Sequence, residues 1–190
     1  RNRLQKPYPL ILDGAMGTMI FNALPNYKGN LELLNIEHPD VILSIHRQYI
    51  NSGADIIETN TFGGNALKLA EAGLENRCAE INKIAAQIAK EVSKGKVFIA
   101  GSVGPTGTLV EPMGTTPVEA VYNAFKKQIK GLVDGGVDCI AIETMTDLQE
   151  ARLALLAAKA VTNIPIICSM TFEDNGKTVL VRVNDRGPFR

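Results

Sequence analysis

Short apolar runs alternate along this chain with longer segments of helical spacing, and this alternation limits the folds that are open to it. The five apolar runs are continuous, as strands covered on both faces tend to be; they comprise residues 9–13, 54–60, 97–102, 137–143 and 164–171. Apolar residues recur at helical spacing in residues 39–52, 75–93, 117–134 and 147–161. A repeated succession of strand and helix predicts an α/β protein with a parallel sheet.

The exits from two of the predicted helices share one pattern. Ser52-Gly-Ala-Asp and Gly135-Gly-Val-Asp each lead into an apolar run, and these runs end in glutamate, at Glu58 and Glu143. A recurrence of this kind predicts equivalent βα units within one sheet.

A parallel sheet of such units has two main architectures, a doubly wound open sheet and a (β/α)8 barrel. The glycine-rich phosphate loops GxGxxG and GxxxxGK[ST], which are typical of nucleotide-binding open sheets, follow none of the five runs. A complete barrel usually takes about 250 residues and eight strands, whereas this chain has 190 residues. If the fold is a barrel, the chain covers about five of its eight β/α units.

The charge and hydropathy of the chain exclude several kinds of partner. Its 20 basic and 20 acidic residues cancel and are mixed along the sequence, so no broad field is present to attract nucleic acid or an anionic membrane. The longest apolar runs are far shorter than the roughly 20 residues that span a bilayer. Three widely spaced cysteines without a CxxC pattern favour neither a disulfide framework nor a zinc cluster, and the predicted setting is a reducing cytoplasm.

Polar residues close the apolar runs, at the edge where the functional groups of parallel α/β folds collect. Asp13 and Glu143 would point into the same mouth, where two carboxylates could hold an ammonium group by charge-assisted hydrogen bonds. The alternative is that Asp13 caps the following turn and that Glu143 caps a helix or pairs with a basic side chain. Glycines in the same segments, Gly14 and Gly104 among them, would expose backbone N–H groups to a ligand carboxylate or would serve turn geometry alone.

The two histidines have no metal-ligand spacing such as HExxH. His38 precedes a helix-start proline, and His46 lies eight residues further on, within the predicted helix and far from the strand ends. Both are therefore expected at surface or capping positions and not in catalysis.

Five segments of the sequence together resemble a known family. They read LDGAMGTMI at residues 12–20, ELLNIEHPDVILSIHRQYINSG at 32–53, ADIIETNTFGGN at 54–65, GSVGPTGTL at 101–109 and GGVDCIAIETMTD at 135–147. In order and spacing they are similar to the homocysteine-binding domain of cobalamin-dependent methionine synthases and related homocysteine S-methyltransferases. The resemblance implies a (β/α)8 TIM barrel, of which residues 1–178 form the N-terminal part.

This resemblance also implies a chemistry and a set of partners. The family's barrel binds zinc through three cysteines, presents homocysteine as a thiolate and transfers a methyl group to it; in the most similar members the donor is methylcobalamin, recharged from methyltetrahydrofolate. Homocysteine and the folate- and cobalamin-binding modules of the parent protein are therefore the expected partners. The amino acid is expected to be bound by residues at the strand ends: Asp13, Gly14, Asn60, Thr61, Gly104, Pro105 and Glu143.

The sequence departs from the family pattern at the zinc ligands. The family's cysteines lie in segments like GxNCxxGP and GGCCG, neither of which occurs here, and Cys78, Cys139 and Cys168 do not match their positions. We therefore assign no metal ligand and no catalytic residue. The expected function is that of a methyltransferase domain fragment that is inactive by itself, and the alternative is a non-catalytic amino-acid-binding or interaction module.

A second departure concerns residues 179–190, which we predict to be a divergent tail outside the barrel. GKTVLVRVNDRGPF, at residues 176–189, resembles the double-psi β-barrel signature of rare lipoprotein A, a periplasmic cell-wall protein. A foreign segment joined at this point and chance similarity in an alternating strand segment are the two explanations.

Overall fold

The computed structural model describes residues 8–174 and 176–178. A parallel sheet of four strands lies at its centre: β1 (Ile56–Glu58), β2 (Phe98–Val103), β3 (Cys139–Met145) and β4 (Ile166–Met170). The strands follow one another across the sheet in the order β1-β2-β3-β4, and every neighbouring pair is parallel. A doubly wound sheet would reverse its strand order part-way across. The unbroken order is instead that of consecutive units of a (β/α)8 barrel.

The first predicted strand, at residues 9–13, is present only as a single parallel bridge. Leu12 pairs with Ile56, and the amide of Asp13 donates to the carbonyl of Ile56 over 3.0 Å. β1 offers only three residues for pairing, so the contact with it is correspondingly short. The position of this first predicted strand is therefore confirmed, whereas its predicted length of five residues was wrong.

Seven helices flank the sheet in the described residues: α1 (Met16–Ala23), α2 (Leu34–Glu37), α3 (Pro39–Asn51), α4 (Ala66–Ala70), α5 (Cys78–Ser93), α6 (Val118–Gly135) and α7 (Leu148–Val161). The four predicted helices are confirmed as α3, α5, α6 and α7. The three shorter helices were not predicted, because segments of four to eight residues carry too little periodicity to be distinguished from loops. No helix in the described part of the chain is long and apolar enough to cross a membrane.

The two faces of the sheet carry different layers of side chains. Ile57, Ile99 and Ile140 point outward into the main core, which they share with buried residues of α5, α6 and α7. The alternate residues point to the opposite, inner face, where Ile56, Ala100, Cys139 and Ala141 form a separate and smaller cluster. This inner face corresponds to the interior of a barrel.

The repeated helix exits of the sequence have the same geometry in the structure. At the start of β1, the carboxylate of Asp55 accepts from the amide of Ile11 over 3.1 Å, and the Asp55 amide donates to the carbonyl of Ile11. Just before β3, Asp138 makes the equivalent pair of bonds with Ile99 on β2. The prediction of equivalent βα units is confirmed by this shared contact. The predicted tail at residues 179–190, with its resemblance to rare lipoprotein A, lies outside the described residues.

Candidate active site

Polar side chains end the inner face of the sheet at the carboxyl ends of three neighbouring strands. Each lies two residues beyond a member of the small inner cluster: Glu58 beyond Ile56 on β1, Ser102 beyond Ala100 on β2 and Glu143 beyond Ala141 on β3. Asp13 follows the bridged residue Leu12, on the other side of β1. The fold therefore arranges three carboxyl groups and a hydroxyl along one edge, as the strand-end pattern predicted for Asp13 and Glu143.

Asp13 is bound to the backbone of β1. Its Oδ1 and Oδ2 atoms accept from the amide of Glu58 over 3.1 and 3.0 Å. Burial raises the pKa of Asp13 from 3.8 to about 7, against the opposing effect of the backbone hydrogen bonds and with a smaller contribution from the charge of Glu143. This carboxyl is therefore poised to lose a proton near neutral pH when a cation approaches.

Glu58 is a site residue that the sequence reasoning did not select. Burial, together with smaller effects of the charges of Glu143 and Asp13, raises its pKa from 4.5 to about 8. A signal was present, because the two repeated apolar runs end in Glu58 and Glu143 alike, but only the second was assigned. Both glutamates belong to the inner face: Glu58 is in register with Ala100, and Glu143 lies two residues beyond Ala141.

Glu143 is oriented by the neighbouring strand. Its Oε1 accepts from the hydroxyl of Ser102 over 2.5 Å. The alternative role of helix cap belongs to another residue, because the carboxylate of Asp147 accepts from the amide of Gln149 at the start of α7. The ion pairs of the described side chains join residues three or four apart on exposed helix surfaces, and Glu143 is in none of them.

Asn60 and Thr61 support the site from the loop after β1. Both are buried, and the amide of Asn60 donates to the carbonyl of Leu31 over 2.8 Å. The hydroxyl of Thr61 donates to the carbonyl of Ser102 over 2.7 Å. Their side chains thus link the β1 loop to its surroundings and bring it against the end of β2.

The predicted glycines lie where aromatic rings approach the backbone. A Cβ atom at Gly104 would lie 2.7 Å from the ring of Phe62, so any side chain there would displace the ring or the loop. A Cβ atom at Gly14 would lie 3.1 Å from the hydroxyl oxygen of Tyr49. The carbonyl of Pro105 accepts from the side-chain amide of Asn65, 3.3 Å away. The two loops are therefore closely packed at the same edge as the carboxyl groups.

A model of the homocysteine S-methyltransferase family matches residues 10–184, which is most of the chain. The chain belongs to this family. The methionine synthases of Mycobacterium leprae (strain TN) and Mycobacterium tuberculosis (strain ATCC 25618 / H37Rv) are each 34% identical over 188 aligned positions, which cover 90% of this chain. The chain spans only 16% of the length of these relatives.

Solved structures of a homocysteine methyltransferase have the same fold. The metallated form of MmuM from Escherichia coli superposes with a TM-score of 0.78 and 24% identity, over 94% of this chain and 70% of the other. The oxidized form gives 0.78 and 23%, over 92% and 66%. The prediction of a TIM barrel, present here in part, is confirmed.

The cysteines of this homocysteine S-methyltransferase family member do not assemble into a zinc site. Cys78 and Cys139 are buried, their thiols donate to the carbonyls of Gly64 and Ile99, and burial raises the pKa of each to about 11. Zinc binds the thiolate form, which such burial disfavours. No group of three histidine, cysteine, aspartate or glutamate side chains within the described residues could hold a metal ion. The described residues therefore do not fit the zinc that the family resemblance implies.

Two buried acidic residues, Glu32 and Glu150, hold the loops that follow β1 and β2 at the candidate site. The sequence offered no signal for either residue. Oε1 of Glu32 accepts from the amide of Gly63 over 2.7 Å, across 31 residues of chain. Oε1 of Glu150 accepts from the amide and the hydroxyl of Thr106, 44 residues away. Burial raises the pKa of Glu150, although both bonds from Thr106 oppose this. Contacts at such separations depend on how the βα units pack.

The expectation for His46 was wrong, whereas His38 does occupy a capping position at the start of α3. His46 is fully buried, and neither of its ring nitrogens has a hydrogen-bond partner among the described residues. Burial lowers its pKa from 6.5 to about 4, so it is neutral in the folded protein at pH 7. The error arose because His46 lies on the face of α3 that carries Ile42 and Ile45 into the core.

Proposed function

We propose that this chain supplies the amino-acid pocket of a homocysteine S-methyltransferase, and that Asp13 and Glu143 bind the α-ammonium group of homocysteine. The observation that carries the proposal is that Asp13, Glu58 and Glu143 lie near enough for their charges to act on one another's pKa, and that none has an ion pair to a basic side chain among the described residues. Such a site lacks a positive charge that a ligand could provide.

The electrostatics of Asp13 favour a cationic ligand. Its raised pKa, about 7, reflects burial that is only partly compensated by backbone amides. An ammonium group at hydrogen-bond distance would favour the charged form and form charge-assisted bonds. Ligand affinity should consequently fall as the pH falls below about 7, because protonated Asp13 no longer attracts a cation.

The remaining predicted residues surround this position in the proposal. Gly14, Gly104 and Pro105 lie in loops where the backbone can approach a small ligand closely, and backbone N–H groups in such loops are suited to a carboxylate. Asn60 and Thr61 are buried and act in the proposal by holding the loop that closes the pocket. An α-amino acid, with one cationic and one anionic group, fits this division.

In the parent protein we propose that the methyl group is transferred to the thiol of the bound amino acid, with zinc activating that thiol and methylcobalamin, carried by another module, as the donor. Because the described residues do not fit zinc, this chain is proposed to be inactive as a methyltransferase by itself. Its cytoplasmic location and the folate- and cobalamin-binding partner modules remain predictions.

A non-catalytic amino-acid-binding module is the second candidate. It is favoured by one specific contrast: the carboxyl groups for an ammonium ion are assembled, whereas the cysteines of the described chain are dispersed and protonated. Affinity for homocysteine that is unaffected by zinc would distinguish this module, and an inactive fragment, from a competent zinc enzyme.

The test is isothermal titration of the 190-residue chain with L-homocysteine, with and without equimolar zinc, together with a metal assay of the same sample. We expect binding that zinc does not change, and weaker binding by Asp13→Asn and Glu143→Gln. Asp138→Asn is the matched control, because Asp138 also accepts from a strand amide but lies on the surface, away from the candidate site. Unchanged affinity in both site variants would refute the carboxylate assignment, and binding that requires zinc would refute the inactivity.

A further inference from the structure

Ser102 lies on β2, between the strands that carry Glu58 and Glu143, at the carboxyl ends of the strands where the candidate site lies. Its side chain is buried, and its hydroxyl donates to Oε1 of Glu143 over 2.5 Å. A hydroxyl that donates to a carboxylate forms a short and directional bond, stronger than one between neutral groups. Ser102 therefore has the geometry to set the direction of the Glu143 side chain.

The backbone of Ser102 is in turn held by side chains from two other elements. Its amide donates to the hydroxyl oxygen of Thr59 over 3.1 Å, and its carbonyl accepts from the hydroxyl of Thr61 over 2.7 Å. The amide of Gln128, on α6, donates to the same carbonyl over 3.3 Å and to that of Thr61 over 2.7 Å. β1 ends at Glu58, so these side chains replace the strand pairing that would otherwise hold this part of β2.

Glu143 needs such a partner because its own strand is irregular at this point. The register of β3 against β4 shifts between Ile142 and Met145, which is a bulge in the strand. Thr144, the next residue, has a φ of 59°, a left-handed conformation that a β-branched residue rarely adopts. Bulges of this kind redirect a side chain. The hydrogen bond from Ser102 then selects one orientation of the redirected carboxylate.

We propose that Ser102 is the positioning residue of the ammonium site: it engages Oε1 of Glu143 and thereby directs Oε2 toward the ligand's amino group. The inference rests on the proposed function, since it assumes that Glu143 binds an ammonium group. Ser102 acts only through Glu143. Loss of the Ser102 hydroxyl should therefore weaken the binding of ligands that carry the amino group. The binding of ligands without an amino group should not change.

The experiment compares the wild-type 190-residue chain with Ser102→Ala, Ser102→Thr, Glu143→Gln and the double variant, by titration with L-homocysteine and with its deaminated analogue 4-mercaptobutanoate. Ser93→Ala is the matched control, because Ser93 is equally buried but its hydroxyl donates to the carbonyl of Lys90 on α5. Circular dichroism of every variant monitors the fold.

We expect Ser102→Ala to weaken homocysteine binding roughly tenfold, the scale of a hydrogen bond to a charged group. Ser102→Thr should restore most of this affinity, and Ser93→Ala should change nothing. Adding Ser102→Ala to Glu143→Gln should cause little further loss, and binding of the deaminated analogue should be the same in wild type and Ser102→Ala.

Two failures are distinguishable. The positioning role is refuted if Ser102→Ala binds homocysteine as tightly as the wild-type chain does. It is also refuted if the substitution weakens binding of the deaminated analogue as much as binding of homocysteine. In both cases the proposed function stands. If wild type binds homocysteine no more tightly than the deaminated analogue, the ammonium site itself is refuted, and the role of Ser102 with it.

Discussion

Replacing Asp13 by asparagine should stabilise the fold at pH 8, although it weakens the binding of homocysteine. In the folded protein burial raises the pKa of Asp13 from 3.8 to about 7, so the folded state binds this proton more tightly than the unfolded state does. The charged form therefore costs stability. This cost is absent below pH 3.8, grows as the pH rises, and is complete above about pH 7. Asparagine has no charge, so the variant does not carry this cost.

The magnitude follows from the two pKa values. A difference between 3.8 and about 7 corresponds to about 4 kcal/mol in full. Two factors reduce it: the carboxyl is only half-buried, and asparagine keeps one oxygen where aspartate accepts from the Glu58 amide with two. We therefore expect Asp13→Asn to gain about 2 kcal/mol in free energy of unfolding at pH 8, relative to its difference from wild type at pH 4.

Urea unfolding of both proteins at pH 4, 6 and 8 measures this difference directly. Asp138→Asn is again the control, because it also removes a carboxylate that accepts from a strand amide, at 2.9 Å, but at an exposed position. A difference between Asp13→Asn and wild type that is the same at pH 4 and pH 8 would show that burial does not penalise the charge of Asp13.

Two further predictions concern the loop after β2 and the core around α3. Gly104→Ala should weaken homocysteine binding with little loss of helical content, because the new Cβ would lie 2.7 Å from the ring of Phe62 and displace the loop; unchanged affinity, measured by titration, would argue against that loop as part of the pocket. His46→Leu should remove about 2 kcal/mol of acid destabilisation at pH 5, since the folded pKa of about 4 lies below the ordinary 6.5 and stability is lost as the pH falls through this interval. Urea unfolding at pH 7 and 5 tests this, and an equal pH dependence in wild type and variant would contradict it.

The alternation of strands and helices was predictable because it is a local property of the chain. A continuous apolar run such as that around Ile140 is typical of a strand covered on both faces, and the periodicity of α6 predicts a helix with one buried side. The positions of Asp13 and Glu143 at strand ends follow from the same local pattern. Short elements such as α4, and the reduction of the first strand to one bridge at Leu12, depend on neighbours that no local pattern identifies.

The site was predictable only in its outline. Glu58 was visible at a strand end, but its closeness to Asp13 depends on the bridge between two segments more than forty residues apart in the chain. Ser102 closes the third apolar run, but no local pattern identifies Glu143 as its partner, because that contact depends on how β2 packs against β3. His46 shows the converse: helical spacing placed it correctly on α3, yet the choice of buried face was made by packing.

By itself, then, the sequence determined which segments are strands and helices, and which polar residues lie at the carboxyl ends of strands, since backbone preference and side-chain periodicity are local. Only the tertiary structure decided which of those residues meet. The packing of consecutive strands brings Glu58, Ser102 and Glu143 to the carboxyl end of the inner face and leaves the cysteines apart. The pKa values follow from the same packing, because burial and neighbouring charges exist only once distant segments are in contact.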